Sequence, residues 1–155
     1  MQGKHAMTDS NTDIAARLAV EDAVTRLFVA TDRRDWPTLE ACFTDPFLLG
    51  MTSLTGGQPS TMTPRQICDA WAEGFSKLDH VHHQVGNLQT RVAGAEAHVE
   101  CYGVAWHYRA AAQGGKTRLF VGTYVFDLSH GLAGWQVARL VFQLKFIDGN
   151  PSLES

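Results

Sequence analysis

The sequence predicts an α+β domain with helices first and an antiparallel sheet last. Apolar residues recur at helical spacing over the first third of the chain. From His80 onward the period changes to two, in four runs joined by glycine-rich links. Runs of helices followed by runs of strands pack as helices on one face of a sheet, not as alternating parallel units.

The first helix is expected over Thr12 to Arg34. Val20, Val24, Phe28 and Asp32 fall on one stripe, widened by Leu27 and Thr31, with Arg33 and Arg34 turned to solvent. Asp32 is a carboxylate on an otherwise apolar face. Asp35-Trp36-Pro37 ends this helix and starts a short one through Ala41, with Asp35 as N-cap. Phe47 to Ser53 reads as a short strand and Thr55-Gly56-Gly57-Gln58-Pro59 as a loop. Thr63-Pro64-Arg65-Gln66 carries a capping box with proline at the first helical position. The helix it opens presents Ile67, Trp71, Phe75 and Leu78 at helical spacing.

Four strands follow: His82–Val92, His98–Ala111, Thr117–Ser129 and Trp135–Ile147. Short links make them an antiparallel meander. Gly103 and Gly122 mark mid-strand bends. The helices would then fill the concave side of a curved sheet. Three segments result: residues 1–11 as an expression scar and disordered N-terminus, 12–148 as the domain, and 149–155 as a flexible tail. Met1 to Met7 reads as the scar before a natural start at Met7, so His5 carries no functional weight.

At 155 residues, 45% hydrophobic and 19% charged, the chain has the make-up of one ordinary globular domain. A formal charge of −3 and no basic cluster beyond Arg33-Arg34 argue against nucleic acid. No apolar run reaches the roughly 18 residues of a membrane span. Cys42, Cys68 and Cys101 sit among apolar neighbours and form no paired motif. They read as reduced core thiols, which suits a cytoplasmic setting.

Strand alternation sorts the histidines. His80 and His82 share one face; His83, Val85 and Asn87 share the other. The first two therefore cannot join His83 on one metal ion, and no metal or cofactor is expected. Cys101, Gly103 and Ala105 form a small-residue row that leaves space above it, and His107 ends that row. Trp71, Phe75, Phe120, Tyr124 and Phe142 would wall a pocket for a flat, mostly apolar ligand, with Phe28 and Asn87 beside the candidate histidine. Tyr102, Trp106 and Tyr108 lie on the opposite face and suggest a subunit interface. An inward carboxylate and a strand histidine make a simple general acid–base pair, so Asp32 and His83 are the catalytic candidates, with His107 as a third.

The stretch Phe28-Val29-Ala30-Thr31-Asp32-Arg33-Arg34-Asp35-Trp36 resembles the first-helix signature of the SnoaL-like group, within the cone-shaped α+β superfamily of nuclear transport factor 2. His83-Gln84-Val85-Gly86-Asn87 resembles the strand that carries that group's catalytic histidine. Scytalone dehydratase and hexachlorocyclohexane dehydrochlorinase belong to the same group. The resemblance implies a cone-shaped roll, with three N-terminal helices packed in a strongly curved antiparallel sheet. It gives Asp32 the role of dyad aspartate, His83 that of dyad histidine, and His107 that of a substrate-orienting histidine as in scytalone dehydratase. Two pocket tyrosines of that enzyme correspond to Thr31 and a position near Met51, so scytalone is not the expected substrate. The implied function is a cofactor-independent lyase of the dehydratase type, acting on a small hydrophobic or aromatic substrate as a homodimer or homotrimer. The alternatives are an isomerase of the ketosteroid type and a non-catalytic small-molecule-binding module.

Overall fold

The computed structural model describes residues 10–155. The Met1–Met7 segment, with His5, lies outside the described residues. In chain order the elements are α1 (Ser10–Arg33), α2 (Trp36–Ala41), β1 (Phe43–Gly50), α3 (Thr52–Thr55), β2 (Ser60–Met62), α4 (Pro64–Gly74), β3 (His80–Ala93), β4 (Glu96–Tyr108), β5 (Thr117–Gly131) and β6 (Gly134–Gly149).

The local signals act as their chemistry requires. Asp35 caps α2 by accepting from the Thr38 backbone N–H at 3.2 Å and from the Thr38 hydroxyl at 2.7 Å. Thr63 and Gln66 exchange both bonds of the capping box, at 3.2 and 2.8 Å, with Pro64 first in α4. The stripe of α1 is buried, with Val20 and Val24 at 0% and Phe28 at 6% exposure.

One curved, unclosed sheet of order β2-β1-β6-β5-β4-β3 wraps the helices. Strands β3 to β6 form the expected meander. β1 is an addition: it runs parallel to β6 and antiparallel to β2. It also starts earlier than the expected Phe47, and the residues after Gly50 turn into the single-turn α3 instead of continuing as strand. The core lies between α1, α2 and the concave face, where Phe43, Phe47, Phe126, Leu128 and Leu140 are all but fully buried.

Register shifts override simple alternation at several points, and two of them bear on which residues face inward. One falls between Gly86 and Gln89, the other where Leu144 pairs with Gly122 and Phe146 with Val121. The second turns Phe146 out of the inner row, leaving it 55% exposed.

Two segments expected to be loose or solvated make specific contacts. Arg34 does not extend into solvent; it adopts φ 55° and donates to the carbonyls of Phe75 at 3.1 Å and Leu78 at 2.5 Å, tying the end of α1 to the segment after α4. The segment after residue 148 packs on the domain. Leu153 is fully buried against Leu78, Val81 and Ala112, with Phe75 beside them. Arg109 donates to the carbonyls of Leu153 at 3.1 Å and Ser155 at 2.6 Å, and Lys77 donates to that of Glu154 at 3.1 Å. An apolar anchor and satisfied carbonyls hold a polar-looking segment in place. No described helix is long and apolar enough to cross a membrane.

Candidate active site

Helix α1 delivers Asp32 at its C-terminal turn, facing the edge strand β3. An edge strand has no neighbour for its outward amides, and Asp32 supplies one. Asp32 Oδ2 accepts the His83 backbone N–H at 2.8 Å, while Oδ1 lies 2.6 Å from His83 Nδ1. Both side chains are largely buried, at 18% and 11% exposure. The carboxylate thus holds main chain and ring at once, which fixes ring orientation. Phe28 stacks on the imidazole, ring centroids 5.1 Å apart and planes at 29°. Its edge meets Tyr124 at 4.9 Å.

His83 opens onto a cavity of about 120 Å³. Thr31, Met51 and Leu54 form one wall and Trp71 and Phe75 another. The sheet contributes His83, Ala105, His107, Tyr124 and Phe142. The Thr31 hydroxyl is already committed to the Leu27 carbonyl at 2.8 Å. A roomier hollow of about 460 Å³ lies between α1 and the far end of β3, lined by Asp13, Arg17 and Thr90 among others. It is open and brings no histidine or aromatic together, so the smaller cavity is the better site.

His107 lies against Phe75 and Phe120, at centroid distances of 5.5 and 5.0 Å. Burial lowers its pKa to about 4, helped by the Arg118 and His83 charges and opposed by Glu154 and Asp32. It is therefore neutral over the physiological range. Burial raises the Tyr124 phenol above its ordinary value, as do the charges of Cys101 and Asp32. The thiols move the same way: burial takes Cys101 to about 12 and Cys68 to about 11. Thiols held this far up are poor nucleophiles at neutral pH.

Most of the anticipated wall assembles: Met51, Trp71, Phe75, Tyr124 and Phe142 line the cavity with His83 and His107. Three residues are placed elsewhere. Asn87 is the bulged residue, at φ 53°, so it leaves the His83 face and joins Tyr102 and Lys145 in an outer hollow. Phe28 and Phe120 do not line the cavity; they back His83 and His107 from behind. The space above the small-residue row is also narrower than alternation alone implies. The Tyr124 ring covers Gly103, where an added Cβ would lie 2.2 Å from Tyr124 Cε2. The open part of the row is at Ala105.

Arg118 escaped the sequence reading. It pairs across the strands with His107 and is only 14% exposed. Its alternation with Phe120, Gly122 and Tyr124 was the available signal, since those residues all face inward. His80 and His82 pack outward against Tyr108 and Trp106. Among the described residues no group of three His, Cys, Asp or Glu could hold a metal ion.

The comparisons with known proteins agree with this architecture. A family model described as a SnoaL-like domain matches residues 12–141. A solved protein from Kribbella flavida is 21% identical with a TM-score of 0.84, covering 94% of this chain and 99% of its own. A scytalone dehydratase-like protein from Novosphingobium aromaticivorans is 14% identical, TM-score 0.78, with 92% of each chain covered. A hexachlorocyclohexane dehydrochlorinase from Novosphingobium barchaimii is 13% identical, TM-score 0.76, covering 93% and 96%. At these identities the structural likeness speaks for the fold alone. No curated protein matches the sequence.

Proposed function

The chain belongs to the SnoaL-like domain family, and on that premise we propose that it is a cofactor-independent lyase of the dehydratase type. Its substrate is a small hydrophobic or aromatic molecule. The observation that carries this reading is the two-point hold of Asp32 on His83, through ring and backbone, at the wall of an apolar cavity. A buried carboxylate that only satisfied itself could be replaced by apolar packing at little cost. Here it orients an imidazole that lines the cavity, engaging Nδ1 and leaving Nε2 without a hydrogen bond within the protein.

In the proposed reaction His83 Nε2 takes a proton from the carbon next to a substrate carbonyl. The C–H electron pair becomes the new C=C bond. The C–O bond on the neighbouring carbon breaks, and the departing hydroxide leaves as water after receiving the proton from His83. His107 holds the carbonyl oxygen as negative charge builds there. Positioned acid–base groups are worth about 10²–10⁴ in rate. The cavity size sets the scale of the substrate, because a cavity of about 150 Å³ is known to accept benzene. At about 120 Å³ the cavity here is somewhat smaller, so the substrate is limited to one small ring.

Scytalone dehydratase-like and dehydrochlorinase neighbours support elimination chemistry as the class. Isomerisation is the second reading, since His83, the base held by Asp32, can return its proton to another substrate carbon where no leaving group is present.

The protein is proposed to work in the cytoplasm as a homodimer or homotrimer. The support for assembly is the outer sheet face, where Tyr102 and Phe146 are more than half exposed.

The test is a panel of monocyclic β-hydroxy carbonyl compounds, followed by ultraviolet absorbance for the conjugated product and by mass for loss of water. Turnover that vanishes in a folded His83→Ala variant supports the mechanism; unchanged turnover in that variant overturns it. Product of unchanged mass assigns the isomerase instead.

A further inference from the structure

The cross-strand neighbour of His107 is an arginine, and an arginine can only donate. Its guanidinium carries five N–H groups and no acceptor. Arg118 Nη2 lies 3.4 Å from His107 Nδ1, so a hydrogen bond there requires Nδ1 to present its lone pair. A neutral imidazole then carries its one proton on Nε2. At His83 the arrangement is reversed, because an acceptor-only carboxylate sits on Nδ1 and leaves Nε2 as the lone pair.

Arg118 is itself held by the C-terminal tail. Glu154 takes it in a fork: Nη1 to Oε2 at 2.9 Å, and Nη2 to Oε1. Nη1 also reaches the Pro151 carbonyl at 3.4 Å, and the guanidinium lies 5.1 Å from the centre of the Phe120 ring. Arg118 Nε is buried with no partner. A buried cation with an unsatisfied donor costs stability relative to apolar packing. Docking a tail that Leu153 already anchors does not call for it.

We propose that Arg118, locked by Glu154 of the C-terminal tail, is a positioning residue that fixes His107 as the Nε2–H tautomer and so makes it the hydrogen-bond donor of the cavity. This rests on the reading of His107 as the group that holds the substrate oxygen. Opposite charges thereby set two imidazoles in opposite roles, Asp32 making a proton acceptor of His83 and Arg118 a donor of His107. The site selects substrates that present an acceptor oxygen, a carbonyl or an enolate, and discriminates against those that present an N–H or a cation. The tail becomes part of the active site, although none of its residues lines the cavity.

The charged and titratable groups around His107 are Arg118 and Tyr124 on β5, Arg109 just past the end of β4, His83 on β3, Asp32 on α1 and Glu154 on the tail. Arg118 and burial disfavour the imidazolium, and Glu154 and Asp32 favour it. Removing Arg118 therefore shifts both tautomer and titration in a known direction.

The test reads His107 directly in protein labelled with ¹⁵N-histidine, by two-bond proton–nitrogen correlation from pH 3.5 to 8, with His107→Gln assigning the signal. At pH 7 the intact protein should show a pyrrole-type Nε2 and a pyridine-type Nδ1. Arg118→Met should leave a mixture of tautomers and raise the titration midpoint by about 1 unit or more. Arg118→Lys, which keeps a cationic donor, should restore the single Nε2–H form. A pyrrole-type Nδ1 in the intact protein overturns the proposal, as does an Arg118→Met spectrum unchanged in tautomer and midpoint. The wild-type and Arg118→Lys spectra decide the matter if Arg118→Met does not fold. No substrate is involved, so failure of the lyase reading is scored separately, by turnover of His83→Ala.

Discussion

Replacing Asp32 by asparagine removes one charge and almost no volume. The new side chain keeps one acceptor oxygen, and the His83 backbone N–H, 2.8 Å from Oδ2, is the partner it can least leave unpaired on a buried edge. The amide NH₂ then faces His83 Nδ1, now 2.6 Å from Oδ1. Two donors cannot share that contact, so the ring moves its proton to Nε2 and loses its lone pair to the cavity. Turnover should fall by about 10²–10⁴, equivalent to roughly 3–5 kcal/mol of transition-state stabilisation. Trading two charge-assisted bonds for weaker ones costs about 1–2 kcal/mol of stability. For a domain of this length that lowers Tm by roughly 2–8 °C and leaves the chain folded at 25 °C. Initial rates on a substrate from the panel, beside a thermal melt, separate the two effects. A folded Asp32→Asn protein turning over within threefold of wild type would refute the orienting role.

Three further outcomes follow from the packing and the surface charges. Leu153→Ala should destabilise by about 2–5 kcal/mol in urea melts, because the side chain is fully buried; a loose tail would give no change. Gly103→Ala puts a Cβ 2.2 Å from a Tyr124 ring already packed by Phe28, Phe126 and Phe142. A loss of about 1–3 kcal/mol is expected, and a wild-type Tm would show that Tyr124 yields freely. His98 bonds Asp127 at 2.7 Å, and this contact raises the His98 pKa against the opposing pull of desolvation. Desolvation raises Asp127, but its bonds from His98 and Arg139 win and leave it lowered. The His98 contribution is thus complete below its ordinary value near 6.5 and fades as pH rises through its raised folded value. The Asp127 contribution is present above the ordinary carboxylate range and lost below it. His98→Gln should therefore cost more stability at pH 6 than at pH 9. The difference should stay under about 1 kcal/mol, because both groups are well exposed. Equal losses at the two pH values would show that the pair contributes nothing through its charges.

What is local in this protein was legible in the chain. Caps at Asp35 and Thr63 act on amides two or three residues away, so their effect is written beside them. The α1 stripe ending in Asp32 follows from a 3.6-residue period, and the inward set His83, Ala105, His107 and Tyr124 from a period of two. Those periods also placed the Asp32–His83 pair on one side of the sheet, since a carboxylate on a buried face must meet a polar partner.

Pairing decided the rest. A bulge depends on which residues of a neighbouring strand must be matched, and nothing within His83–Asn87 says that Asn87 will be the extra residue. The same holds for Phe146, turned outward by a register step against Gly122, and for β1, whose parallel partner lies far along the chain. The tail is the sharpest case. Pro151 to Ser155 is polar and short, and by itself it has no reason to be ordered. Only the folded sheet brings Arg109 and Arg118 to its carbonyls and its carboxylate, and a pocket at Leu78 and Val81 to Leu153. Asp32 and the histidines could be named from the sequence alone; the cation behind His107 needed the strands to be laid side by side.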